Sequence, residues 1–447
     1  MKKIFIPLTA IILLITGCAK QLDILPTQSV DESLVFDTDA NIKAALNGAY
    51  DLASSGDLIG GNTQMYSELL GAGGEITWVG TFNQPDEIYN KSILTNNSFI
   101  RDTYLSGYRL INVCNNIIAS IDKVNASDRD AVKGQALFLR GMAYFEMVKL
   151  FAKPYSAGNT STNLGLQIVT TPTINGQVTA ANNVPRSSVQ QTYDQIIADL
   201  TAAKTIIGGD AGEYGSEYAV SAVLSRVYLQ TGNYAGARDE ANNVIENSGL
   251  SLESDYSNAF NNTSASSEDI YVLPVTAQDG SNEMHTYWSI LDYGARDGDV
   301  EVNQEHIDLY DAADARLALF YIDDNDIYRS GKWKFQYKNL PVIRLAEMYL
   351  NRAESNFRLN SSVGASADDD IDMIRSRVGL PFINVTLLDI LNERRLELAH
   401  EGQRIHDIKR LRLAVDGFDY DANELVFPIP LREINASAGV LVQNDGY

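Results

Sequence analysis

EYAVSAVLSRVYLQTGNYAGARDEANNVIEN, residues 217–247, carries the most specific repeat signal in this chain. Leu224, Tyr228, Gly232, Tyr234, Ala237 and Ala241 fall at tetratricopeptide spacing. A large residue sits on the first helix, Gly232 with Asn233 makes the turn, and small residues on the second helix let the two pack closely. A single such pair cannot bury its apolar face, so further pairs must stack on it. A looser pair covers 342–359 and 367–378, and a helix over 386–400 is a further member.

The same period continues toward the N-terminus. Val132, Ala136, Leu139, Ala143, Met147 and Leu150 recur at three- and four-residue steps, which predicts a helix over 128–151 that Pro154 ends. Ser127 with Asp130 resembles its capping box. A helix over 100–121 pairs with it. Three stretches show no helical period: 56–97, 159–185 and 253–296. Loops of this length inside a compact body tend to be functional surfaces. Residues 269–274 and 333–337 read as short strands. The fold class is therefore mainly α: a helical-repeat, tetratricopeptide-like scaffold with long irregular loops and minor β-structure.

At the N-terminus, Met1-Lys2-Lys3 precedes an apolar run from Ile4 to Ile15 and then Thr16-Gly17-Cys18. That is the layout of a secretory signal too short to span a bilayer of ~30 Å. The small residues before the cysteine point to cleavage ahead of Cys18 and lipidation of its thiol, which acyl chains then hold at a membrane surface. The chain reads as a signal peptide over 1–17, an N-terminal region with helix pairs over 18–250, and a C-terminal region with loop insertions and an extended tail over 251–447. Its 447 residues carry a formal charge of −23, which becomes −25 once Lys2 and Lys3 leave. Such a balance excludes nucleic acid as partner, because phosphate neutralisation needs clustered Lys and Arg. With Cys18 lipidated, Cys114 has no disulfide partner, and its helical spacing with Ile111, Ile118 and Ile121 reads as core.

Several motifs in order then resemble the SusD/RagB lipoproteins of the Bacteroidetes outer membrane. They begin with Leu22-Asp23-Ile24-Leu25-Pro26-Thr27 and Ala45-Leu46-Asn47-Gly48-Ala49-Tyr50. Leu139 to Phe145, Arg344 to Glu354, Glu393-Arg394-Arg395-Leu396-Glu397-Leu398 with Glu401-Gly402, and Asp407-Ile408-Lys409-Arg410 follow. The likeness ends with Phe427-Pro428-Ile429-Pro430, Glu433-Ile434-Asn435 and Gln443 to Tyr447. The resemblance implies a surface lipoprotein that lies as a lid over a SusC-like TonB-dependent transporter and captures glycans. A RagB-like capture of peptides, or a lid that gates the transporter without a ligand, are the alternatives it leaves. The shared motifs describe scaffold; Glu393, Arg394, Arg395 and Glu397 read as an ion-pair lattice.

Sugar recognition needs flat rings for the pyranose C–H faces and polar groups for the hydroxyls. Trp78 with Tyr89 in the Gly-rich segment, and Tyr287, Trp288 and Arg296 after the 269–274 strand, are the candidate ligand-binding residues. The plainer reading is that each ring anchors its loop. Trp333, between Lys332 and Lys334, reads as packing. No enzyme is expected. His400 and His406 around Glu401 lack the His-Glu-x-x-His spacing of a zinc helix, and no Gly-x-Ser-x-Gly elbow occurs. Asp323-Asp324-Asn325-Asp326 lacks the turn glycine and distal Glu of a calcium loop and reads as a solvated acidic turn. No cofactor is implied.

Overall fold

A computed structural model describes residues 35–173, 179, 181–278 and 280–447. The signal segment, Cys18 and the 22–27 motif lie outside them. In chain order the first part carries α1 (Asp39–Ser54), α2 (Asn62–Leu70), β1 (Ile76–Trp78), α3 (Asn83–Tyr89), α4 (Ser98–Ala119), α5 (Arg129–Phe151), α6 (Val189–Lys204), α7 (Glu217–Thr231) and α8 (Tyr234–Asn247). An excursion follows with β2 (Asp269–Leu273), α9 (Glu283–Trp288), β3 (Val300–Val302), α10 (Gln304–Ile307), β4 (Phe320–Ile322), β5 (Tyr328–Ser330) and β6 (Leu340–Arg344). The chain then resumes with α11 (Leu345–Leu359), α12 (Ala367–Arg377), α13 (Leu387–Glu397), α14 (Arg404–Leu411) and α15 (Leu431–Ala436). Among the described residues no helix is long and apolar enough to cross a membrane.

The tetratricopeptide-like pair forms as its residues dictate. Ser216 caps α7, its side chain accepting the Ala219 N–H. Gly232 ends the helix with φ +75, a left-handed conformation that costs glycine little, and its N–H returns to the helix carbonyls. Asn233 then caps α8. The small residues allow a polar contact between the helices: Ser225 Oγ donates to the Ala237 carbonyl at 2.9 Å. Consecutive helices α4 to α8 pack side by side, and α11 takes the next place against α8, with α12 and α13 beyond. The 100–121 and 128–151 helices thus appear as α4 and α5, while Cys114 is fully buried.

Because α11 stacks directly on α8, everything from Ser248 to Arg344 is inserted into the repeat. Its base is an antiparallel ladder of β2 and β6, which pairs Asp269 with Arg344 and Leu273 with Leu340. Strands β3, β4 and β5 of the insertion join β1 in a sheet of order β1-β3-β5-β4, and Trp78 pairs with Val300. The insertion is therefore sewn onto the N-terminal part at β1. The main core runs from Ile42 to Leu441, and among the described residues two smaller clusters accompany it, one around Leu350 and Ile374 and one around Tyr256 and Phe260.

Three local expectations differ from the structure. The 56–97 stretch contains α2, β1 and α3; α2 is buried on nearly every side, so no polar face marks its period. Helix α5 starts at Arg129 without a capping box. Asp128 is drawn into an ion pair with Lys43 of α1, and Ser127 donates to Asp128. Residues 333–337 form no strand: Gly331–Trp333 is a 3-10 turn, and the strand begins at Leu340. Adjacent side chains Lys332 and Trp333 both point inward, which strand alternation forbids. Lys332 Nζ donates to the Glu397 carbonyl at 2.9 Å, and Trp333 Nε1 donates to that of His400 at 2.9 Å.

Glu68 of α2 ties the N-terminal part to α14. Its Oε1 accepts the N–H groups of Gly402 and Gln403 at 2.7 and 3.1 Å. Burial pushes its carboxyl from 4.5 up to about 7, against the lowering effect of those N–H groups. A raised folded pKa means the folded state holds the proton more tightly. The stability linked to Glu68 is therefore full below pH 4.5 and is lost as pH rises through about 7. The change is on the order of 3 kcal/mol. Urea unfolding across this window should show Glu68→Gln losing less stability than the parent; parallel curves would refute the linkage.

Candidate ligand-binding cleft

The cleft begins where α1 ends. The turn after Ser54 passes through Gly60 and Gly61, and the Glu283 N–H at the start of α9 donates to the Gly60 carbonyl at 2.8 Å. A Cβ on Gly61 would lie 2.7 Å from the Glu283 nitrogen, so this approach requires glycine. Across the gap stand the first three turns of α4. Its Thr103 Oγ1 donates to the Asp57 carbonyl at 2.7 Å, and Ser106 Oγ donates to the Asp57 carboxylate at 3.3 Å. Asp57, Asn62, Asp102 and Glu283 thus converge on a cleft of about 300 Å³, edged by Phe99 and Tyr287.

Its electrostatics follow from crowding three carboxylates. Burial and then the Asp102 charge push the Asp57 carboxyl up from its usual range. Glu283 is raised by burial, with Asp57 adding to it. Asn62 Oδ1 is buried without a hydrogen-bond partner. The cleft therefore offers mainly acceptors, matched to hydroxyl or ammonium donors.

Tyr287 and Phe99, at the cleft's edge, belong to a row of rings. Trp78 lies 5.9 Å from Tyr287, Tyr287 lies 6.5 Å from Phe82, and Phe82 lies 5.7 Å from Phe99. The Arg296 guanidinium stacks 4.1 Å over Phe82, while its Nε donates to Asp299 at 2.6 Å and Nη2 to Thr81 at 3.1 Å. A second aromatic patch belongs to the same insertion. Tyr293, Tyr321 and Phe335 surround Lys334 Nζ at 4.5, 4.4 and 5.5 Å. Beside the first cleft, Ser54, Ser55, Gln278, Ser281 and Tyr337 border a depression of about 440 Å³.

The tryptophans do not offer stacking faces here. Trp288 is completely buried, its ring 4.5 Å from that of His400, and it belongs to the core. Trp78 is held by the β1–β3 ladder and is also buried. Tyr287 is buried too, yet its edge reaches the cleft. Tyr89 does not line it: that ring is half-buried against the core, with Lys91 Nζ 5.4 Å from its centroid. Arg296 meets the cleft's outer ring. Phe82, Phe99, Asp57, Asp102 and Glu283 were not among the residues chosen from sequence. Phe82 lies four residues after Trp78 in the same Gly-rich stretch, and at 36% exposure it is the accessible ring of the row.

Asp323 sits in the acidic turn, but its side chain is only 5% exposed and paired with Arg329, where the sequence predicts a solvated turn. Its Oδ1 accepts the N–H groups of Asn325 and Ile327, and Oδ2 accepts Arg329 Nε at 2.9 Å.

A helical-repeat frame carrying a long insertion, with a polar cleft between the two, is the class of fold these elements define. Residues 20–229 match the family described as "Starch-binding associating with outer membrane", and residues 230–426 match the SusD family. The chain belongs to the SusD/RagB family. It is similar to SusD-like protein P2 of Formosa agariphila, 26% identical over the whole of both chains. It also resembles starch-binding protein SusD of Bacteroides thetaiotaomicron, 31% identical over 24% of this chain and 22% of that one. Among solved structures, a SusD superfamily protein of Bacteroides thetaiotaomicron superposes with a TM-score of 0.81 at 25% identity, over 91% of this chain and 99% of the other. A putative sugar binding protein of Bacteroides vulgatus superposes equally, TM-score 0.81 at 26% identity, over 92% and 99%.

Proposed function

We propose that this chain is a cell-surface, non-catalytic glycan-binding lipoprotein. It is anchored to the outer membrane through Cys18 and delivers oligosaccharides to a SusC-like TonB-dependent transporter. The observation that carries the reading is the cleft where Asp57, Asn62, Asp102 and Glu283 face Phe99 and Tyr287, with the exposed Phe82 ring packed against both. Carboxylates and an amide oxygen accept from sugar hydroxyls, while Phe82 supplies an apolar face. The starch-binding and sugar-binding descriptions of its relatives support the same ligand class.

Calorimetric titration of the mature protein with an oligosaccharide panel tests it. Phe82→Ala is expected to weaken the best binder five- to tenfold, about 1–1.4 kcal/mol, through lost stacking. Asp102→Asn should weaken it by a similar factor. Full affinity in both variants would remove the ligand from this cleft. The three carboxylates also favour a ligand bearing an ammonium group, so binding of a basic peptide with silence across the sugars would move the reading to RagB-like capture. Co-purification with the transporter tests delivery; a lipoprotein that never associates with it would refute that half.

A further inference from the structure

A larger cavity lies away from the cleft, between α13, α14 and the segment joining α2 to β1. Its volume is about 530 Å³, within the range of small-molecule sites. One side is leucine: Leu387, Leu388, Leu391, Leu398, Leu411 and Leu413 line it. Leu388 and Leu413 remain 65% and 46% exposed at its rim. The other side is charged and rich in arginine, with Arg358 and Arg410 paired to the buried Glu354 behind it. Five arginines, at 358, 394, 395, 404 and 410, meet three carboxylates, Glu68, Glu75 and Asp407, in a protein of formal charge −23.

The carboxylates are already engaged. Glu75 accepts Arg395 Nη2 at 2.6 Å and pairs with Arg404 at 3.1 Å and His306 at 2.8 Å. Asp407 is held by Arg394 at 2.9 Å and Arg410 at 2.7 Å, and Glu68 accepts backbone N–H groups. What stays unmatched includes donor capacity. Arg404 Nε is buried with no hydrogen-bond partner, and His400, 2% exposed and kept neutral by burial, leaves one N–H donor and one acceptor nitrogen unmatched. A guanidinium has five N–H donors and no acceptor, so Arg404 calls for an anion, and the single His400 N–H can add a second donor.

We infer that this cavity is a second binding site, which takes a small amphipathic carboxylate with its apolar body on the leucines and its carboxylate toward Arg395, Arg404 and His400. An inorganic anion would leave the leucine wall uncovered, and a cation would meet carboxylates already paired. Glu68, with its carboxyl pushed up to about 7, opposes the anion only weakly at neutral pH.

Titration of the mature protein with octanoate, 1-octanol and octylammonium distinguishes these cases. Octanoate is expected to bind saturably at one site, at least tenfold more tightly than the other two. Arg404→Gln should weaken octanoate about tenfold or more, the scale of one lost charged hydrogen bond. Leu388→Glu changes an exposed rim residue, so folding is retained, and repulsion should lower octanoate affinity while leaving any oligosaccharide bound at the Asp57 cleft unaffected. No saturable octanoate binding, equal affinity for the alcohol or the ammonium, or an unchanged constant in Leu388→Glu would each overturn the site.

Discussion

Trp288→Ala is expected to destabilise the protein by about 3–5 kcal/mol, the range for deleting a buried large aromatic side chain. The ring is entirely inside, stacked at 4.5 Å on His400, with Met284 and Tyr287 in the same core. Its Nε1 has no hydrogen-bond partner, so removing that N–H returns about 1 kcal/mol and places the net effect toward the lower end. Guanidinium unfolding with the midpoint compared to the parent measures it, and Trp288→Phe should recover most of the loss. An exposed stacking platform behaves otherwise, with ligand affinity falling at constant stability. That pattern in Trp288→Ala would show the ring to be accessible after all.

The contrast explains which parts of the molecule were legible. Helix pairs whose apolar residues recur against polar ones, such as 217–247 and 129–151, declare themselves through local spacing. Helix α2 does not, because burial on all sides erases its period. Tryptophan is informative about a site only when it lies at the surface, and its side chain is large enough that the core competes for it. Phe82 was hidden by the opposite bias, an ordinary apolar residue whose exposure depends on where Arg296 and Phe99 arrive from distant sequence. Asp57, Asp102 and Glu283 are separated by up to hundreds of residues, and in a chain with 58 acidic residues nothing marks them until Gly60 and Thr103 hold their segments together. The Glu393–Glu397 lattice was visible as charge on one helix, but its counter-ions on Arg316, Arg344 and Arg377 were not.

Those counter-ions lead to the second large effect: Arg344→Met should cost about 3–5 kcal/mol of stability, because it leaves buried carboxylates without their charge partner. Arg344 is the last residue of β6, and its side chain is fully enclosed. Its Nη1 donates to Glu268 at 3.0 Å and to Glu397 at 3.1 Å, and Nη2 donates to Glu401 at 2.7 Å. Nε adds a second bond to Glu401 at 2.9 Å. Arg344 and Lys332 together hold the Glu401 carboxyl down at about 2 despite its burial. Arg377 still reaches Glu268 and Glu397, and Lys332 still reaches Glu401, so the loss is a large fraction of stability and not complete unfolding. Adding Glu401→Gln to Arg344→Met should recover 1–3 kcal/mol, on the order of one unpaired buried group, and a double variant no more stable than the single would contradict the lattice. The consequence reaches the cleft, because Arg344 faces Asp269 in the β2–β6 ladder. That ladder closes the base of the insertion bearing Glu283, Tyr287 and Arg296. Hydrogen exchange in Arg344→Met should therefore rise first in β2, β6 and α9 and last in α8, which packs on α7 and α11.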